Sequence, residues 1–121
     1  MVEGRSREVA VVDDDAAVLD SMQFMLELAG FQVATYASAI AYLASAPDRA
    51  RCLILDYNMP VMTGLELAAR LRAGGISIPV LLVTSALSDD IVSRAAELGV
   101  EQVLGKPPDE DALIGFVNAC G

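Results

Sequence analysis

The chain has 121 residues, 55 % apolar and 21 % charged, which is enough for one domain with its own core and too apolar for a disordered segment. A net charge of −9 with only eight Lys and Arg argues against a nucleic-acid surface, and the lack of any histidine removes imidazole acid–base catalysis, Ser–His nucleophiles and imidazole metal sites. The two cysteines, Cys52 and Cys120, have no paired spacing and suit a reducing, cytoplasmic compartment.

A short polar arm, "MVEGRSRE" (residues 1–8), opens the chain without a charged-then-apolar leader. Apolar runs of strand length follow at about 8–13, 31–35, 51–56, 79–84 and 101–104. They alternate with helix-period segments at about 16–29, 38–46, 64–73, 89–98 and 109–119, of which the fourth carries Ile91, Ala95 and Leu98 at the spacing of a core-facing stripe. Gly30, the pair Gly74–Gly75, and Gly99 stand where left-handed cap residues belong. Residues 28–47 carry no charge and are long enough to cross a bilayer. Gly30, Gln32, Thr35, Ser38 and Ser45 interrupt the run, which reads instead as strand, turn and small-residue helix, so no membrane role is expected.

Five strand–helix units predict an α/β fold: a five-stranded parallel sheet covered by helices on both faces, in the flavodoxin-like, doubly wound order 2-1-3-4-5. One domain is expected over residues 1–121, with its core at about 8–119 and no output domain within it. In this order the winding reverses between strands 1 and 3, and ligands bind there beyond the carboxyl ends of the strands. Asp13 and Asp14 leave strand 1, Asp56 leaves strand 3, Thr84 ends strand 4 and Lys106 follows strand 5, so four strands deliver polar groups to one edge.

Three carboxylates brought to about 4 Å repel by on the order of 4 kcal/mol per pair at an effective dielectric near 20. Either they protonate with raised pKa values or a divalent cation sits among them, and oxygen-only ligands in a part-solvated cleft favour Mg²⁺. Three acids around Mg²⁺ leave about one net negative charge, so one carboxylate stays nucleophilic. A carboxylate, a metal, the Thr84 hydroxyl and the Lys106 ammonium are the parts needed to accept a phosphoryl group. Asp15 and Asp109 read as helix N-caps, with Glu110 and Asp111 complementing the last helix dipole. Met22, Met25 and Met59 read as packing residues.

The stretches "VVDDD", "LILDYNMPVMTGLEL", "IPVLLVTS" and "LGKP", in this order and spacing, resemble the response-regulator receiver domain of bacterial two-component signalling over nearly the whole chain. The phrases "VLDSM" and "SMQFMLELAGF" look most like receivers of nitrogen-fixation-type regulators. The resemblance implies that Asp56 is the phosphoacceptor, taking the group from phosphohistidine on a sensor histidine kinase or phosphotransfer protein. It implies that Asp14 binds Mg²⁺ directly, Asp13 largely through water, and Asn58 through its backbone carbonyl. Thr84 and Lys106 would hold the phosphoryl oxygens, and Lys106–Pro107 would be cis. The output surface would be a homodimer or effector contact through the helix 4–strand 5–helix 5 face, either in a stand-alone messenger or in a fragment of a longer regulator.

The chain departs from that pattern at Val103, where family members usually carry Tyr or Phe whose ring swings as the threonine moves, and at Pro108, often Phe. A binding module that works without phosphorylation is therefore a second reading, resting on Val103. A small Mg²⁺-dependent aspartyl phosphatase is a third, because Asp13–Asp14–Asp15 contains a D-x-D. It would need a later acidic pair and a substrate-covering cap, for which this chain has no room.

Overall fold

The computed structural model describes residues 8–45 and 50–120. Five strands, β1 (Glu8–Val12), β2 (Gln32–Tyr36), β3 (Cys52–Asp56), β4 (Val80–Thr84) and β5 (Gln102–Gly105), alternate with α1 (Ala16–Leu28), α2 (Ala39–Leu43), α3 (Gly64–Ala73), α4 (Asp89–Glu97) and α5 (Glu110–Ala119). The sheet is parallel throughout, in the order β2-β1-β3-β4-β5. Residues 1–7 of the expected polar arm lie outside the described residues, and its last residue, Glu8, already opens β1. The second helix is shorter than the expected 38–46, running Ala39–Leu43 between the Ser38 N-cap and the Ala44 C-cap. Among the described residues no helix is long and apolar enough to cross a membrane.

Period-two alternation along the central strands builds two cores. Ala10, Val12, Leu53, Leu55, Val80 and Leu82 pack with residues of α2, α3 and α4. Val9, Val11, Cys52, Ile54, Leu81 and Val83 pack with Leu19, Met22 and Leu26 of α1 and Leu113, Phe116 and Val117 of α5. Strands β3 and β4 are buried along their whole length, as their apolar runs require. The edge strands β2 and β5 are only partly covered.

The structure revises some boundaries. Strand β2 starts at Gln32 rather than residue 31, because the Phe31 N–H still donates to the Leu26 carbonyl and closes α1. Of the glycine pair only Gly75 is left-handed (φ +80°), like Gly30 (+99°) and Gly99 (+70°); Gly74 keeps φ −86° as the C-cap of α3. Asp15 and Asp109 are N-caps as expected, Asp15 accepting from Ala17 N–H and Val18 N–H and Asp109 from Ala112 N–H. Thr63 and Glu66 form a reciprocal capping box that fixes where α3 begins, immediately after the β3 loop.

Within that loop Val61 has φ +71° and is 91 % exposed. The Met62 N–H donates to the Pro60 carbonyl at 2.7 Å across it, a γ-turn of the strained, positive-φ kind. A β-branched residue in this conformation is destabilised by about 1–2 kcal/mol. Val61→Gly is expected to raise the unfolding free energy by ~1 kcal/mol, the relief of strain being partly offset by a freer unfolded chain. A urea titration in which the variant proved less stable would show that the valine is held by contacts instead.

Candidate functional site

The reversal in winding lies between β1 and β3, and the carboxyl ends of both strands carry acids. Asp13 follows β1 directly; its N–H donates to the Tyr36 carbonyl at 3.1 Å, and its carboxylate accepts from Asp15 N–H at 2.9 Å. Asp56 closes β3 opposite Val83. Both residues are 3 % exposed, whereas Asp14 is exposed. Carboxylate oxygens of Asp13, Asp14 and Asp56 all lie within 4.8 Å of one another.

Lys106, past the end of β5 on a cis bond to Pro107, places its ammonium 2.6 Å from Asp56 Oδ1. Neither Asp56 oxygen accepts a directed hydrogen bond, although both are buried, so the lysine contact is an ion pair and Oδ2 has no hydrogen-bond partner among the described residues. A buried anionic oxygen of this kind is stabilised only by a further cation or donor. The donor set therefore fits a hard divalent ion: carboxylates alone, converging, with one buried oxygen unmatched.

The electrostatics follow from this crowding. Burial is the main cause that holds the Asp13 carboxyl above the ordinary carboxylate range; the Asp15 N–H pulls it back, and the charge of Asp56 adds to the rise. For Lys106, burial alone would lower the pKa, but the paired Asp56 carboxylate, with Asp13 and Asp14 behind it, outweighs burial and holds it above its usual value. A carboxyl whose folded pKa is raised favours the protonated form, so its contribution to stability falls as pH rises through that raised value. Asp13→Asn mimics the protonated form and keeps the acceptor for Asp15 N–H. In chelator at pH 7 it is expected to be more stable by ~1 kcal/mol, roughly 4 °C in melting temperature. Calorimetry showing a lower midpoint would mean that Asp13 is held by something other than repelled.

Thr84, the last residue of β4, is fully buried. Its carbonyl accepts from Lys106 N–H at 2.9 Å, and its Oγ1 accepts from Ala86 N–H at 3.1 Å. The structure thus brings Asp13, Asp14, Asp56, Thr84 and Lys106 to one strand edge. Asn58 sits two residues beyond Asp56 with its side-chain oxygen accepting from both Ser85 N–H and Ser85 Oγ–H, each at 3.0 Å. Val103 pairs with Leu82 and packs, partly buried, against the α2–α3–α4 core.

Two contributors escaped the sequence reading. Gly64 opens α3 hard against β3, its N–H donating to the Tyr57 carbonyl at 3.1 Å, and a glycine directly after the Thr63 cap was the available signal. Ser85 was visible only as a small residue beside Thr84; its partner is 27 positions away, and nothing local announces the pair.

The parallel sheet wound 2-1-3-4-5 thus sets a lysine-paired aspartate at the point where its winding reverses. The family model of the response regulator receiver domain matches residues 9–118, and the chain belongs to that family, the receivers of two-component response regulators. It is 38 % identical over 115 residues to the transcriptional regulatory protein FixJ of Azorhizobium caulinodans, covering 94 % of this chain and 54 % of that protein. It is 39 % identical over 115 residues to the transcriptional regulatory protein PrrA of Mycobacterium tuberculosis, covering 94 % and 49 %. The chain thus spans about half the length of the curated relatives it matches. The crystal structure of FixJ-N matches with a TM-score of 0.85 at 32 % identity, covering 96 % of this chain and 94 % of that one. The chemotaxis protein CheY4 of Vibrio cholerae matches with a TM-score of 0.85 at 29 % identity, covering 94 % and 98 %.

Proposed function

We propose that this receiver is a phosphorylation-dependent switch that takes a phosphoryl group onto Asp56 from the phosphohistidine of a sensor kinase or phosphotransfer protein. The observation that carries this reading is the Asp56 carboxylate itself: buried, ion-paired through Oδ1 to Lys106, and unmatched at Oδ2 beside two further acids. The carboxylates of Asp13, Asp14 and Asp56, with the backbone carbonyl of Asn58, are the residues that would hold Mg²⁺. When bound, the ion supplies charge neutralisation for the oxygens of the transferring group.

The chain's own residues divide the remaining work. The Asp56 oxygen that Lys106 does not hold attacks phosphorus. A P–O bond forms as the P–N bond breaks, and the imidazole nitrogen keeps the electron pair and takes a proton from solvent. Lys106 offsets charge on the acyl phosphate, and the Thr84 hydroxyl, already accepting from Ala86 N–H, keeps its own proton to donate to a phosphoryl oxygen. The absence of histidine is consistent with a donor on another protein.

The relatives are transcriptional regulatory proteins of about twice this span, so we read residues 1–121 as the receiver unit of a cytoplasmic regulator whose output is transcriptional. The unit makes and loses its own acyl phosphate and turns over no other substrate. With acetyl phosphate and Mg²⁺, the intact protein is expected to gain one phosphoryl group by mass spectrometry, and Asp56→Asn to gain it at least ~100-fold more slowly. An unchanged wild-type mass would instead leave a module that binds its partner without phosphorylation.

A further inference from the structure

We infer that Ser85 is a positioning residue, whose paired hydrogen bonds to Asn58 hold the β4–α4 loop in its unphosphorylated arrangement and couple that loop to the phosphoacceptor segment. This inference rests on the phosphorylation reading above and concerns how the site is regulated. The Ser85 N–H can only donate, so the Asn58 atom it meets must be the carboxamide oxygen, and the same oxygen accepts from Ser85 Oγ–H. A single side chain thereby pins the segment after β3 to the segment after β4, across 27 residues of sequence.

The loop is folded back at the same point. Ala86 N–H donates to Thr84 Oγ1, and Ser85 lies between those two residues. Thr84 Oγ1 can keep that bond while its own proton turns toward an anion on Asp56, so a shift of Thr84 toward the anion draws Ser85, its direct neighbour, along with it. That shift pulls against the two bonds to Asn58, so phosphorylation and the tie compete for one loop conformation. The coupling is reciprocal: whatever the phosphoryl group takes from the tie, loss of the tie returns as affinity for the phosphoryl group. Val103 has no ring to swing, and its branched side chain is stiff and packed on the core. The loop tie provides a route that does not pass through position 103.

Ser85→Ala removes one of the two donors and Ser85→Thr retains both. Beryllofluoride with Mg²⁺ serves as the phosphoryl mimic, and binding is followed by backbone amide shifts. Without the mimic, Ser85→Ala should move the amides of residues 86–90 part of the way toward their wild-type mimic-bound positions. It should bind the mimic roughly fivefold more tightly, the worth of about one modest hydrogen bond; Ser85→Thr should match wild type in both respects. A serine that is merely structural would lower the melting temperature of Ser85→Ala and leave mimic affinity unchanged, and that result overturns the inference. A wild type that binds no mimic and takes no phosphoryl group overturns the phosphorylation reading and this one together. Normal uptake with identical affinities in wild type and Ser85→Ala removes only this one.

Discussion

Gly64→Ala should lose ~2–4 kcal/mol of unfolding free energy, enough to lower the melting temperature of a domain this size by roughly 10 °C or more. The reason is geometric. A methyl at position 64 would stand 2.5 Å from the Asp56 carbonyl oxygen, 2.8 Å from Leu82 Cδ1 and 3.0 Å from the Tyr57 Cα. Two of these neighbours are backbone at the end of a fully buried strand and cannot swing aside. Leu82 is itself fully buried in the α2–α3–α4 core, so its rotamer is set by packing. Either α3 retreats from the sheet or β3 shifts, and both displace Asp56 from Lys106. Thermal unfolding and phosphoryl uptake should therefore fall together. A variant of wild-type stability would mean that the helix start yields at no cost.

Arg72→Ala should be destabilising by ~2–3 kcal/mol, and Arg72→Lys should recover less than half of that. The Arg72 guanidinium donates to four carbonyls: Nε to Leu98 at 2.7 Å, Nη1 to Ile76 and to Ile78 at 3.0 Å each, and Nη2 to Gly99 at 3.3 Å. These carbonyls belong to the turn after α3 and the turn after α4, so one planar fork closes the edge of the sheet opposite the acidic site. A lysine reaches as a single point and cannot span the set. The partial exposure of the side chain keeps the expected figure below the sum of four charge-assisted bonds. Urea unfolding of the three proteins gives the ranking directly, and equal midpoints for Arg72→Lys and wild type would show that charge alone suffices.

The acidic site was legible in the sequence because a parallel strand that ends in a polar residue delivers it to one edge whatever the loops do. Asp13, Asp56, Thr84 and Lys106 each close an apolar run, and the doubly wound order brings those ends together. The helix caps were legible for a similar local reason, since the Asp15 and Asp109 carboxylates accept from N–H groups two or three residues onward. The beginnings of the edge strands were less distinct. β2 and β5 are half-covered, so burial does not mark their ends, and their limits are set by backbone bonds such as Phe31 N–H to the Leu26 carbonyl. The Arg72 fork, the Gly64 contact and the Asn58–Ser85 pair were not legible because each depends on where a distant segment is folded. No period or propensity encodes those distances.

Strand β4 stands beside Asp56, and its side chains alternate between the two cores: Val80 and Leu82 to one flank, Leu81 and Val83 to the other. Close-packed interiors pass displacement on with little damping. A small movement at Thr84 would consequently strain both sides of the molecule at once. Under the proposed phosphorylation, the helical layer formed by α1 and α5 and the layer formed by α2, α3 and α4 would be two audiences for one chemical event, and separate proteins could read the same message without meeting.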